Sequence, residues 1–357
     1  MRPIRACWWG LAATAAITLT ACSSQGSSSS STSASGSASA SAPGSKITSI
    51  TIALPAKETD YGWNQQGVNA ANAAGASIGA KVTVVSDLGY DNTQSLLAQL
   101  AQKHPGLLIA HASGYDTAAQ QVATQYKVPV MTYDVPTELV PNLVSNITTS
   151  GEQGAYLAGI LAAKTTTTKT IGIVASASDT NWYKMSGGFA TGVHSVDPKI
   201  KVLYAEVGQA SYDDSAGGKR VTQTLIAANA DVIFGMGDGA SFGYLQAISN
   251  ANVGHKVWYI GDIGSMAPID TKKVLLSSEL WDFTGAYKQA LSDLQNGTYG
   301  THGYNLDLSN GGIGLLQTPY IPAAVWSQIQ STQQQIVSGA VKVPVTTTLA
   351  QVKALLG

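Results

Sequence analysis

Ten residues that could meet a small molecule recur at one kind of place in this sequence: at or just after the end of an apolar run that reads as a β-strand. Asp60, Trp63 and Asn64 follow the first such run, Gly114 and Tyr115 the third, and Asp134 ends the fourth. Trp182, Asp238 and Asp262 follow later runs, and Trp281 lies beside another. Carboxylates and amides offer hydrogen-bond acceptors and donors, and Trp and Tyr offer flat apolar faces. Together these residue types hold a flat, hydroxyl-bearing solute reversibly. Each also has a plainer reading. Asn64 can cap a helix with Trp63 as its hydrophobic staple, Asp116 can cap the next helix, Asp134 can cap a turn, and the tryptophans can pack in a core or on the surface.

Catalytic arrangements are missing from the pattern. The five histidines (104, 111, 194, 255 and 302) have no metal-ligand spacing, and His111, at a strand end, reads as packed or exposed rather than facing a ligand. There is no Gly-x-Ser-x-Gly elbow and no phosphate-loop lysine motif. Gly235-Met236-Gly237-Asp238-Gly239 has the spacing GxGxG, not GxGxxG, and comes late in the chain, so it reads as a bare strand-to-helix turn.

The elements that must position these residues alternate strand and helix. Strands are expected at Ile47–Leu54, Lys81–Ser86, Gly106–His111 and Val128–Tyr133. The intervening helices are expected at Asn64–Gly79, Thr93–Lys103 and Thr117–Tyr126. A second array follows, with strands at Thr170–Ala175, Lys201–Glu206, Asp231–Met236, Lys256–Ile260 and Val274–Ser278, and a tail left irregular over Val341–Gly357. Near-continuous apolar strands alternating with helices imply parallel sheets covered on both faces, with ligand loops at the carboxyl ends of the strands. Between the arrays, Ser145–Ser176 holds a strand end, an Ala-rich helix over Glu152–Lys164 and the start of a new strand. It reads as the crossing from one α/β lobe to another, with a ligand cleft between the lobes. Expected boundaries are 47–147 plus 278–302 for the first lobe and 148–277 plus 303–357 for the second.

Residues 1–21 carry Arg2 and Arg5 and then a short apolar run, the pattern of a signal peptide. Leu19-Thr20-Ala21-Cys22 resembles the bacterial lipobox, which makes Cys22 the expected lipidation site. Residues 22–46 are then a lipidated Cys followed by a Ser-rich tether. Cys7 leaves with the leader, so neither a disulfide nor a thiol catalyst is expected. Without Arg2 and Arg5 the chain keeps 18 of its 20 basic residues against 21 acidic ones, near −3, and Arg220 is its only arginine. That balance argues against nucleic-acid or phosphate binding and for a neutral ligand.

The landmarks together resemble the basic membrane protein family of substrate-binding lipoproteins, which includes bacterial purine-nucleoside receptors feeding ABC importers. Its D-x-x-F-N is matched by Asp60-Tyr61-Gly62-Trp63-Asn64, with Trp for Phe, and its Gly-aromatic pair by Gly114-Tyr115. E-x-x-x-Y-L-A-G is matched from Glu152 through Gly159, G-F-x-x-G by Gly188 to Gly192, and A-D-V-I-F by Ala230 to Phe234. Two motifs depart. Gly261-Asp262-Ile263-Gly264 stands where the family often has Gly-x-Asp-x-Asp. Ser277-Ser278-Glu279-Leu280-Trp281 lacks the lysine that helps hold the sugar in nucleoside receptors. The resemblance implies an α/β, two-lobed type I periplasmic-binding-protein fold, with no enzymatic activity, cofactor or metal. It also implies an extracytoplasmic, lipid-anchored receptor that closes about a hinge on a small neutral solute and presents it to an ABC permease. A nucleoside is the expected solute, a sugar the alternative within the class. A ligand sensor and an extracytoplasmic nucleoside hydrolase are the readings from other classes.

Overall fold

The computed structural model describes residues 46–134 and 138–357. The expected leader, the expected lipidation site at Cys22 and the expected tether up to residue 45 lie outside the described residues, as do Val135 and Pro136 of the loop after the fourth strand. The chain begins with β1 (Ser49–Ala53), α1 (Trp63–Ile78), β2 (Lys81–Val85), α2 (Thr93–Ala101), β3 (Leu107–Ala110), α3 (Asp116–Tyr126), β4 (Val130–Tyr133) and β5 (Val144–Thr149). It continues through α4 (Gly151–Thr165), β6 (Thr170–Ala175), α5 (Thr180–Val196), β7 (Lys201–Glu206), α6 (Ser215–Ala227), β8 (Val232–Met236), α7 (Ala240–Ser249), β9 (Trp258–Gly261) and β10 (Leu275–Trp281). It ends with α8 (Thr284–Asn296), β11 (Tyr304–Leu306), β12 (Ile313–Leu315), α9 (Ala323–Val337) and α10 (Leu349–Lys353).

Two six-stranded sheets result, ordered β11-β5-β4-β3-β1-β2 and β12-β10-β9-β8-β6-β7. β12 runs antiparallel to β10; the other described pairings are parallel. The order 2-1-3-4-5 is thus repeated, with β6 to β10 standing where β1 to β5 stand. Central strands such as β3, β6 and β8 are buried at every residue, whereas β2, at a sheet edge, is not. In each sheet the strand order reverses between the first and third strands, which opens a crevice at their carboxyl ends.

The lobe boundaries fall a few residues later than expected. β10 runs to Trp281 within the second sheet, and β11 pairs with β5 in the first, so the second and third crossings lie at Asp282–Phe283 and in the Asp307–Gly312 loop. Ser278 and His302 are therefore not the boundaries. The strand is carried past Ser278 by its second partner, since Glu279, Leu280 and Trp281 pair with Leu315, Gly314 and Ile313 of β12. Leu349–Lys353, within the expected irregular tail, forms α10, capped by the Thr348 hydroxyl on Gln351 N.

The α4–α5 pair is packed without side chains between the helices. A Cβ on Gly159 would lie 2.1 Å from the Phe189 carbonyl oxygen, one on Gly192 2.1 Å from that of Tyr156, and one on Gly188 2.3 Å from that of Glu152. The Tyr156–Gly159 and Gly188–Gly192 motifs are accordingly packing motifs.

Candidate ligand cleft

The carboxyl ends of both sheets face a cavity of about 290 Å3. From the first lobe come Trp63 after β1, Tyr90 after β2, Ala112, Ser113 and Gly114 after β3, and Asp134 after β4. From the second come Asp179, Asn181 and Trp182 after β6, Ala210 and Tyr212 after β7, Asp238 after β8, Ile263 after β9 and Trp281 at the end of β10. The loops after β1 and β3, and after β6 and β8, flank the two points where strand order reverses.

Trp63 is fixed by a buried polar chain. Its indole N–H donates to the His111 carbonyl (2.9 Å), and its ring stacks on the His111 imidazole at 4.3 Å between centroids. His111 Nε2 lies 2.9 Å from the Trp63 carbonyl, which can only accept, so Nε2 carries the proton. Nδ1 then accepts from the Tyr287 hydroxyl (3.1 Å), and Tyr287 is bonded in turn to Tyr133. Burial drives the His111 pKa down to about 3, so the ring is neutral. Gly67 makes room for it, since a Cβ there would sit 2.4 Å from Nε2. His111 is packed, and it occupies one face of Trp63.

The other two indoles are likewise satisfied within the protein. Trp182 donates to Ser176 Oγ (3.2 Å) and Trp281 to Glu279 Oε1 (2.7 Å). All three therefore present ring surface rather than donors. Glu279 lies in the stretch where the resembling receptors carry a lysine; it is fully buried, and burial holds its pKa well above the carboxylate range.

Asp134 is the exception to this internal satisfaction. Its backbone is left-handed (φ 61°), and its Oδ2 accepts from the Ser113 hydroxyl (2.9 Å). Its Oδ1 is buried with no hydrogen-bond partner among the described residues. Burial raises its pKa to about 6, with the Asn181 amide and the Ser113 hydroxyl pulling it partly back. Asp238 is pushed well above the carboxylate range by burial and then by the nearby carboxylates of Asp60, Asp262, Asp213 and Asp179. Among the described residues that line the cavity, none is lysine or arginine.

Six of the ten residues singled out in the sequence are brought together here: Trp63, Gly114, Asp134, Trp182, Asp238 and Trp281. The other four have structural employment. Asp60 receives the N–H groups of Gly62 (2.9 Å), Asn64 (2.9 Å) and Gln65 (3.0 Å) and the Asn64 side-chain amide (2.8 Å), which makes it the N-terminal cap of α1. Asn64 is sealed against it, and so is not itself the cap. Tyr115 is buried, its hydroxyl on the Gly89 carbonyl, and Asp262 accepts from Gly237 N (3.2 Å) beside the cavity. Sequence reasoning placed Ser113, Asp179, Asn181 and Tyr212 in strand-end loops (111–116, 176–181 and 208–213) without singling them out, and it missed Tyr90 altogether. The rule that ligand loops follow strands, applied to the edge strand β2 as well, reaches Tyr90.

Two lobes of this topology enclosing such a cleft define a periplasmic-binding-protein-like protein. The solved structures with this fold include an ABC transporter solute-binding protein from Aeropyrum pernix K1 (TM-score 0.74, 19% identity, 86% of this chain and 96% of that one). Another is from Conexibacter woesei DSM 14684 (TM-score 0.70, 21% identity, 84% of this chain and 99% of that one). The chain belongs to the family of PnrA-like ABC transporter substrate-binding proteins, Bmp, whose description matches residues 47–347. Among curated relatives, the ABC transporter nucleoside-binding protein BmpA of Lactococcus lactis subsp. cremoris is 27% identical over 56% of this chain and 60% of its own length. The chain thus spans 57–60% of the length of the curated relatives it matches first, less than two thirds.

Proposed function

We propose that this chain is the extracytoplasmic receptor of an ABC importer, anchored through a lipid on Cys22, that captures a neutral purine nucleoside. The observation that carries the reading is the make-up of the cleft wall: three indole surfaces and the carboxylate of Asp134, one oxygen of which has no hydrogen-bond partner among the described residues, with no lysine or arginine among the described lining residues. Such a wall suits a flat ring bearing N–H or O–H donors and disfavours an anion. The family's membership and the name of the Lactococcus relative point the same way. On this reading capture and release are the whole cycle, with no chemical step on the solute.

A thermal-shift panel of inosine, guanosine, adenosine, ribose and galactose tests the solute. A nucleoside at one hundred times its Kd stabilises the fold by about 2.7 kcal/mol, a shift of several degrees. Stabilisation by a monosaccharide with none by any nucleoside overturns the nucleoside reading, and release of free base on incubation overturns the receptor reading. For the anchor, Cys22→Ser is expected to leave unlipidated precursor or shed protein. Mature, cell-bound protein at wild-type level would remove Cys22 from the proposal.

A further inference from the structure

The loop between β2 and α2 belongs to none of the motifs above, yet it sends Tyr90 into the cleft. Three of its residues, Asp87, Gly89 and Asn92, have left-handed backbone (φ 58°, 61° and 55°), so its course is narrowly specified. It is tied down by Leu88 N on the Leu54 carbonyl (3.2 Å), Gly89 N on the Pro55 carbonyl (2.8 Å) and the Tyr115 hydroxyl on the Gly89 carbonyl (2.5 Å). The Tyr90 ring meets Tyr115 edge-on at 5.8 Å and lies against Gly114, where a Cβ would come within 3.0 Å of it. The Gly114-Tyr115 pair thus shapes a seat for Tyr90.

Tyr90 lines the cavity while 50% exposed, so it sits at the rim with part of its ring to solvent. Tyr212 of the opposite lobe lies next to it, 6.3 Å between ring centroids, and donates from its hydroxyl to Asp179 Oδ2 (3.0 Å). It follows β7, the counterpart of β2 in the repeated strand order. Each lobe therefore contributes one tyrosine from the loop after its second strand, and the two meet over the cavity.

We infer that Tyr90 and Tyr212 form an aromatic gate across the mouth of the cleft, that Tyr115 is a positioning residue holding Tyr90 in the gate, and that the gate sets how fast a bound solute leaves. The release rate rests on the receptor reading above; the gate itself can be read without any solute. Acrylamide quenching of tryptophan fluorescence on the full chain reports access to Trp63, Trp182 and Trp281, with Trp8, Trp9, Trp258 and Trp326 as a background common to all variants. Tyr90→Ala is expected to steepen the quenching and Tyr90→Phe to leave it unchanged. Tyr115→Phe is expected to steepen it in the wild-type background and to add nothing in the Tyr90→Ala background, the non-additivity that a shared mechanism requires. A purely structural role for Tyr115 would give equal increments in both backgrounds. With inosine as the probe in stopped flow, Tyr90→Ala is expected to speed release about tenfold, the scale of one aromatic contact, with association changed little. Unchanged quenching in Tyr90→Ala, or equal increments from Tyr115→Phe, overturns the gate. If neither inosine nor any other nucleoside of the panel binds the wild type, the nucleoside reading fails, and the quenching series still decides the gate.

Discussion

Asp134 separates a binding residue from a structural one by the sign of its effect on stability. A carboxylate whose pKa rises from 3.8 to about 6 on folding is a liability above pH 6, because the folded state then holds a charge that the unfolded chain solvates better. The cost is relieved as pH falls from about 6 towards 4, where the folded state binds more protons than the unfolded one. Asp134→Asn is accordingly expected to raise Tm at pH 7, by an amount that shrinks through this window and vanishes near pH 4. The same change replaces an acceptor by a donor opposite a donor of the solute, and a buried mismatch of about 1–3 kcal/mol weakens binding roughly tenfold to hundredfold. Higher Tm with weaker calorimetric affinity is the expected pair; loss of Tm at pH 7 would mean that Asp134 holds the loop rather than the solute. Asp60 shows why such roles are hard to read from sequence alone. A ligand contact and a helix cap both call for Asp in a strand-to-helix loop, and only the four hydrogen bonds it accepts reveal the cap. Trp63 was legible because a strand end followed by an aromatic meets the cleft whichever reading holds, but the stacking of His111 on its ring depends on a contact 48 residues away.

At the scale of elements, the strand-helix alternation carried nearly all of the fold, because buried parallel strands are written as uninterrupted apolar runs. What escaped were pieces too short to have a period: Tyr304–Leu306, which becomes β11 only by pairing with β5, and the five residues of α10. The α4–α5 glycines were legible as a motif but not as a mechanism, since close approach of two helices leaves its mark only as absent side chains. Gly192→Ala forces a methyl against the Tyr156 carbonyl at 2.1 Å, where backbone rather than a movable side chain must yield. Overpacking of this kind costs about 1–3 kcal/mol. Urea denaturation should show that loss with solute affinity unaltered, because neither helix face at this contact lines the cleft. A loss of affinity at equal occupancy of the folded state would instead tie the helix pair to the lobe geometry.

For the whole molecule, the three crossings set how the lobes move. They are laced to one another: Ser150 N donates to the Leu306 carbonyl (2.8 Å), Asn305 Nδ2 to Ser150 Oγ (3.1 Å), and Asp282 N to the Gly312 carbonyl (2.9 Å). Such a joint permits bending and resists independent tumbling. Across the cleft the lobes touch. Tyr61 meets Phe242 edge-on at 6.1 Å, Thr149 Oγ1 donates to Asn181 Oδ1 (3.1 Å), and the Gly264 backbone lies so close to the Tyr61 carbonyl that a Cβ would come within 1.9 Å. The same approach brings the Asp60 carboxylate of one lobe towards Asp238 and Asp262 of the other, and this proximity adds to the rise in both of their pKa values. Apposed carboxylates oppose contact at neutral pH, so the solute-free chain is expected to sample a more open state, and a solute contacting both walls to shift the population towards the closed one. Small-angle scattering at pH 7.5 should show the radius of gyration falling on saturation with inosine. Asp238→Asn removes one of the opposed carboxyl groups, and the solute-free variant should already lie nearer the closed value, leaving a smaller change on saturation. A solute-free wild type as compact as its saturated form, with Asp238→Asn indistinguishable from both, would mean that the lobes stay closed and the acidic seam does not govern their opening.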